Sequence, residues 1–270
     1  MLGAERRAHI LAELDAHGTV KVSNLVVSLG VSDMTIRRDL TILEETGLLE
    51  KVHGGAIGVN QLAALEPGFE AKSTRRLAEK EAIAAYAATL VRPGWAIAVS
   101  AGTTTHTFAR HLVDIPDLTV VTNSVQVADL LHRRGNDSMT VLLSGGLRTP
   151  SDALVGPLAI AALQSLHLDA VFMGIHGMDP VAGFSSPNLL EAETNRTMIK
   201  KARRLYILSD SSKWGMVGLS AMAELGDATE VITDTDMPAS AREVFAEMDV
   251  SLTLVDAGRM PDEEWTSNRL

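Results

Sequence analysis

Apolar positions in the first 57 residues recur at helical spacing. Ile10, Leu11 and Leu14 share one face of a first helix over 5–16, with Gly18 just past its end. Val22, Leu25, Val26 and Leu29 do the same for a second helix over 22–29, and Gly30 supplies the tight turn that follows. Ser32 stands where its hydroxyl can N-cap a third helix by accepting an orphan amide bond. That helix extends to residue 46 and is closed by Gly47. At about 100° per residue, Ile36, Leu40 and Leu43 form a narrow apolar face, and the opposite arc carries Met34, Thr35, Arg37, Arg38 and Thr41. Residues 48–52 and 56–57, with His53, Gly54 and Gly55 between them, predict a β-hairpin. Helices, glycine turn, basic outer face and hairpin together predict a winged helix-turn-helix over 1–57.

The periodicity lapses over 58–76, where Gly58, Pro67 and Gly68 fall among mixed polar residues, as in a linker. Beyond it, apolar runs of strand length at 95–100, 118–122, 139–144, 170–175, 205–209, 230–233 and 252–255 alternate with helical stretches at 77–91, 104–112, 125–134, 158–166, 189–202 and 239–248. Continuous apolar strands separated by helices predict an α/β domain over 77–260, with a mostly parallel, open, Rossmann-like sheet covered on both faces. Residues 261–270 are polar and predict a frayed tail.

Composition narrows the function. Of 270 residues, 46% are apolar and 21% charged, which is enough to bury a core and excludes intrinsic disorder. The absence of cysteine excludes a disulfide scaffold, a thiolate zinc site and a cysteine nucleophile. No apolar run approaches membrane-spanning length, and Glu5, Glu13 and Asp15 interrupt the N-terminus where a signal peptide would be apolar. A cytoplasmic protein with no membrane partner is expected. The net charge of −10 argues by itself against nucleic-acid binding. Residues 1–60 hold six Lys/Arg against eight Asp/Glu, so the first unit is not basic overall. Its positive surface is local: Arg37, Arg38, Lys51 and His53. Adjacent arginines also occur on plain solvated faces, and the pattern alone leaves both readings open.

In the second unit, the run 95–100 leads into Ala101-Gly102-Thr103-Thr104-Thr105 at the start of a helix. Gly102 admits a ligand close to the backbone, and unpaired amides at a helix N-terminus suit a phosphate monoester. A threonine-capped helix with no ligand is the alternative. Other polar or glycine-rich loops follow the next strands: Asn123 and Ser124, Gly145 and Gly146, Gly174 and Gly177, then Asp210 to Lys213. Ligands of open parallel sheets bind outside these strand ends. Lys213 can meet a phosphate and Asp210 a sugar hydroxyl, although Asp210 can equally cap a turn and Lys213 be solvated. His106, His111, His167 and His176 lack metal-ligand spacing, so neither metal nor cofactor is expected. The basic cluster Arg196, Lys200, Lys201, Arg203 and Arg204 reads first as a solvated helix and second as another DNA contact.

The run from Val31 to Leu40, with Leu43-Glu44, Gly47 and His53-Gly54-Gly55-Ala56, resembles the DNA-binding signature of the DeoR family of bacterial transcription regulators. Lys80 to Ala84, Gly102 to Thr105, Val120 to Ser124, Leu143 to Gly146, Gly156-Pro157, Gly174 with Gly177, and Leu208 to Lys213 resemble that family's sensing domain. The resemblance covers roughly 5–235. It implies that Ser32, Thr35, Arg37 and Arg38, with Met34 on the same face, meet the major groove and phosphates of operator DNA. It implies that the wing, with Lys51 and His53, meets the backbone. It also implies a sensor similar in fold to ribose-5-phosphate isomerase, holding a sugar phosphate at Gly102–Thr105 near Lys213. A homo-oligomer, dimer or tetramer, that represses carbohydrate genes until an effector binds is then expected. Three departures stand out: Lys51 where the family usually has Arg, Ser100 where it usually has Asp, and Trp214, before Gly215, where it usually has Phe. Ser100 also weakens the rival reading of a sugar-phosphate isomerase, which needs positioned carboxylates.

Overall fold

In the computed structural model the chain forms two units, Met1–Leu65 and Glu66–Leu270. Residues 3–17, 19–45, 48–52, 54–58, 69 and 73–258 are described. Gly18, Gly47, His53, most of the expected linker and the tail 261–270 lie outside the described residues.

In the first unit, α1 (Gly3–His17), β1 (Thr19–Lys21), α2 (Val22–Leu29) and α3 (Asp33–Glu45) precede the wing strands β2 (Leu49–Val52) and β3 (Gly55–Gly58). Ile10, Leu14, Val22, Leu25, Ile36, Leu40 and Leu43 are buried together, so the narrow apolar face expected on the third helix is its core face. Gly30 ends α2, its amide bonded to the Val26 carbonyl at 3.0 Å. The hydrophobic pattern does not show β1, which pairs antiparallel with β3 through Val20 and Ala56. Three residues are too few to display an alternation. The partner lies beyond two helices, so tertiary context decides the pairing.

The second unit runs α4 (Leu77–Thr89), β4 (Ala96–Val99), α5 (Thr103–Arg110), β5 (Thr119–Thr122), α6 (Val125–Arg134), β6 (Thr140–Leu143), β7 (Leu147–Arg148), β8 (Leu154–Val155), α7 (Pro157–Gln164), β9 (Ala170–Met173), β10 (Gly177–Asp179), β11 (Gly183–Ser186), α8 (Leu189–Lys201), β12 (Leu205–Leu208), β13 (Ser220–Ala223), β14 (Glu230–Asp234), α9 (Ala239–Glu247) and β15 (Ser251–Val255). Seven strands form one sheet in the order β15-β14-β12-β9-β4-β5-β6, and every neighbouring pair is parallel. Alternate residues serve opposite layers. Ile97, Val99, Ala170 and Phe172 pack with Ile83, Phe108 and Leu131 of α4, α5 and α6. Ala98, Val171 and Met173 pack with Leu163, Met198 and Phe245 of α7, α8 and α9. Burial on both faces is why these strands read as unbroken apolar runs.

A second sheet, β10-β11-β13, is antiparallel and was not expected. Its strands consist largely of Gly, Ser and Ala, which carry little strand signal. They sit where chains approach closely: a Cβ on Gly177 would lie 2.2 Å from the Met216 carbonyl oxygen. Gly177 is thus a packing position rather than a ligand loop.

Candidate DNA-reading face and ligand crevice

On α3, the residues opposite the core face are presented outward. Met34 is 80% exposed and Arg38 is exposed, with no ion pair among the described residues. Arg37 is exposed but bonded to Asp33, one turn earlier. Ser32 caps the helix as expected, accepting the Thr35 amide at 3.3 Å, and its hydroxyl lies 2.9 Å from that of Thr35. Lys51 departs from expectation. Its ammonium lies 2.9 Å from Thr41 Oγ1 and 3.2 Å from a Glu44 carboxylate oxygen. The strand places it against α3, so its charge fastens the wing to the helix instead of standing ready for a phosphate. His53 lies outside the described residues.

Sequence reasoning missed a buried acid on the same helix. Asp39 is only 2% exposed and is bonded to Arg6 Nε, with Arg7 at 3.5 Å. A helical wheel places Asp39 three residues from Ile36, at the border of the apolar arc, and that was the available signal.

In the second unit, chain order reverses between β4 and β9: β5 and β6 lie beyond one, β12, β14 and β15 beyond the other. Ligands of open parallel sheets bind outside the carboxyl ends at such a switch point. Ser100 and Gly174 leave β4 and β9 there, and the Gly174 amide donates to Ser100 Oγ at 3.0 Å. Ser100 is 0% exposed, so its hydroxyl ties the two loops and does not face the crevice. This corrects its expected role as a ligand contact. Whatever it does to a ligand passes through the position of Gly174.

The N-cap of α5 is Gly102, which has no side chain to cap with. Thr103, Thr104 and Thr105 occupy the first turn, so the alternative of a threonine-capped helix fails on geometry. The first turn of α5 has no side-chain cap, whereas Ser124, Asn188 and Asp210 each cap their own helices. Thr105 Oγ1 donates to the Gly102 carbonyl at 3.0 Å. The hydroxyls of Thr103 and Thr104 make no hydrogen bond among the described residues.

Several expected contacts have structural duties instead. Asn123, buried, accepts from the Ala101 amide at 2.9 Å and donates to the Leu154 carbonyl at 3.3 Å, so its amide ties these loops together. Ser124 caps α6 through the Val127 amide. Gly145 and Gly146 shape the entry to the β7–β8 hairpin, where a Cβ on Gly146 would meet the Val155 carbonyl oxygen at 2.5 Å. Asp210 is buried and accepts from the Ser212 amide and hydroxyl, the turn-capping alternative. Lys213 is half-buried at the end of that turn.

Lys80 was not singled out as a site residue. It is 5% exposed at the first turn of α4 and lies within electrostatic reach of Asp210 and Lys213. Burial pulls its pKa down from the usual lysine value to about 8, with Lys213 and Arg75 pushing the same way and Asp210 opposing. A second ammonium therefore stands beside Lys213. Phe69, near the start of this unit, packs edge-on against His106 of α5 with ring centroids 5.5 Å apart. Its amide bonds to the Pro150 carbonyl of the β7–β8 hairpin at 3.4 Å. Burial, with Arg110 adding, holds His106 below the ordinary imidazole range. The basic cluster near α8 is partly committed: Arg196 donates to Ser220 Oγ and the Ala221 carbonyl, and Arg204 stacks over Trp95 at 5.2 Å. Among the described residues no helix is long and apolar enough to cross a membrane.

A helix-turn-helix with a wing, followed by a parallel-sheet domain with a topological switch point, fits a DNA-binding transcription regulator with a sensor domain. Family comparison gives the lineage. Residues 6–61 match the DeoR-like helix-turn-helix domain and residues 75–235 the DeoR C terminal sensor domain, so the chain belongs to the DeoR family. It is similar to the transcriptional regulator FruR of Bacillus subtilis (strain 168), 38% identical over 87% of this chain and 93% of that one. It is 34% identical to a putative aga operon transcriptional repressor of Escherichia coli O157:H7, covering 93% of this chain and 94% of the other. The lactose phosphotransferase system repressor of Streptococcus mutans serotype c is also 34% identical, over 85% and 91%. Among solved structures, a D-ribose-5-phosphate isomerase in complex with phospho-erythronic acid is 17% identical, covering 50% of this chain and 52% of that one at a TM-score of 0.38.

Proposed function

We propose that the chain is a repressor of carbohydrate-metabolism genes that binds operator DNA through α3 and is released when a phosphorylated sugar or related anionic metabolite occupies the β4/β9 crevice. The observation that carries the ligand class is Gly102 at the N-cap of α5. It leaves the first amides of α5 without a side-chain cap at the positive end of a helix dipole, and Lys80 and Lys213, with Asp210 between their charges, supply ammonium groups at a nearby strand end. The names of the aga operon and lactose phosphotransferase repressors support sugar-linked regulation. The Phe69 contact supports coupling, since the chain entering the sensor rests on α5 itself. A homo-oligomer, dimer or tetramer, would present two α3 helices to symmetric half-sites. Exposed Leu142 and Leu143 on the outermost strand β6, with Leu147 beside it, favour such assembly.

The deciding experiment is a thermal-shift screen of pentose and hexose phosphates and sugar acids, followed by DNA binding with any stabilising compound. A ligand that binds only the folded state raises the melting temperature. One that also weakens DNA binding roughly 5- to 150-fold, the ordinary range of allosteric coupling, supports the proposal. If no compound changes either quantity, the reading fails. Turnover of a sugar phosphate, abolished by Lys213→Ala, would instead favour an isomerase.

The pKa of Lys80 adds a prediction. An anionic ligand binds the charged ammonium best, and a phosphate monoester is already dianionic at pH 7. Affinity for a stabilising sugar phosphate should therefore fall about tenfold between pH 7 and pH 9, with a midpoint near 8. Lys80→Met should bind more weakly at pH 7 and show no such fall in titration calorimetry. A wild-type affinity flat across that range would remove Lys80 from the crevice. The same group acts on folding with a definite sign. Its pKa is lower folded than unfolded, so between pH 8 and about 10.5 the unfolded chain holds more protons and Lys80 makes stability rise with pH.

A further inference from the structure

We propose that the cleft between α1 and α3 is a clamp for a phosphodiester of duplex DNA, with Arg7 and Arg38 as its arms and Asp39 as the residue that positions it. The proposal rests on the DNA-binding role of the first unit and adds to it a site that joins α1 to the outward face of α3.

The cleft has a volume of about 360 Å³, and its lining includes Arg6, Arg7, Ser32, Thr35, Arg38 and Asp39. Two guanidinium groups thus meet one carboxylate, and a third, that of Arg38, lines the same cleft. Asp39 follows Arg38 on the reading helix but turns inward, where a lone carboxylate would be costly without a charged partner. Arg6 supplies that partner: its side chain is only 13% exposed and its Nε is bonded to Asp39 Oδ2. The second contact is looser. Arg7 is 31% exposed, and its terminal nitrogen reaches Asp39 Oδ1 at 3.5 Å. One arginine therefore balances the acid. Arg7 lines the same cleft as Arg38, which makes no ion pair among the described residues.

A phosphodiester matches this arrangement. It carries one negative charge and two non-bridging oxygens, which planar guanidinium groups meet as forks. The paired hydroxyls of Ser32 and Thr35, 2.9 Å apart, add neutral donors to the same cleft. The tie from Asp39 to α1 holds the Arg7 arm before DNA arrives, which reduces the side-chain entropy lost on binding.

An acid this close to DNA gives the clamp a distinctive signature. Simple Coulomb repulsion predicts that removing the Asp39 charge tightens DNA binding. The clamp predicts the reverse, because Arg6 and Arg7 lose their anchor. The test uses the full chain and a fluorescein-labelled duplex of mixed sequence, about 30 base pairs long, with anisotropy titrations at several salt concentrations. Each phosphate contact contributes roughly 0.9 to the slope of log affinity against log salt. Arg7→Gln should lower that slope by about 0.9 per bound protomer and weaken binding roughly fivefold at fixed salt. Asp39→Asn, nearly the same shape, should also weaken binding and flatten the slope despite its extra positive charge. The clamp is refuted if Arg7→Gln keeps the wild-type slope and affinity, or if folded Asp39→Asn binds as tightly as the wild type or tighter. Should Asp39→Asn lose its helical circular dichroism, exposed Arg7 decides alone. Wild-type protein that ignores the duplex even at low salt would refute DNA binding itself, whereas normal wild-type binding with an unchanged Arg7→Gln refutes the clamp only.

Discussion

Arg38→Ala is expected to lower affinity for duplex DNA by roughly 5- to 150-fold for each α3 engaged, at fixed salt and with an unchanged melting temperature. The side chain is exposed on the outward arc of α3 and has no ion pair among the described residues, so folding loses nothing when it is removed. A guanidinium that meets a base edge or phosphate contributes about 1–3 kcal/mol, and the fold-change follows from that figure. Engagement of two helices on a symmetric site multiplies the losses. Arg133→Ala provides the control. It removes the same charge from an exposed sensor residue paired with Asp129, and DNA affinity should stay within twofold. An Arg38→Ala protein that binds like the wild type would place the reading face elsewhere on the unit.

The second large effect concerns stability. Phe172 is fully buried in β9, in the middle of the seven-stranded sheet, and stacks between Phe108 at 4.5 Å and Tyr206 at 4.8 Å. Phe172→Ala opens a cavity that β9 and its parallel neighbours cannot close by shifting, and it should cost about 3–5 kcal/mol. Tryptophan fluorescence during urea unfolding reports this on the sensor alone, because the first 65 residues contain no tryptophan. A loss below about 1 kcal/mol would mean that the ring stack is not part of the sensor's cooperative core. Phe108 lies on α5, so the same variant should also blunt the response to a ligand at Gly102.

The sequence made local features legible and hid those that depend on distant partners. Ile36, Leu40 and Leu43 declare the core face of α3 through their own spacing, and the face behind it follows. Apolar runs separated by helices foretold the parallel sheet because its central strands are buried on both sides. Asp39 went unremarked because its partner, Arg6, is 33 residues away. Lys80 entered only as part of a family-like segment, because its burial depends on how α4 seats beside the turn after β12. Ser100 and Asn123 looked like ligand contacts because polar residues after strands often are. Only the fold reveals that their hydrogen bonds are already made with Gly174, Ala101 and Leu154. The β10-β11-β13 sheet escaped notice for the opposite reason: its glycines and serines are chosen for close chain approach rather than for strand propensity.

The sheet's strand order also sets a timetable for folding. The pairing of β4 with β9 is accompanied by a bond from the Ala96 amide to Asp169, 73 residues further along. The wing, by comparison, closes between adjacent strands. Contacts that span little chain form early, and those that span much form late. As the polypeptide leaves the ribosome, the helices and wing of the first unit can therefore be in place before β9 has been translated. The crevice, which needs both β4 and β9, is among the last features to be born.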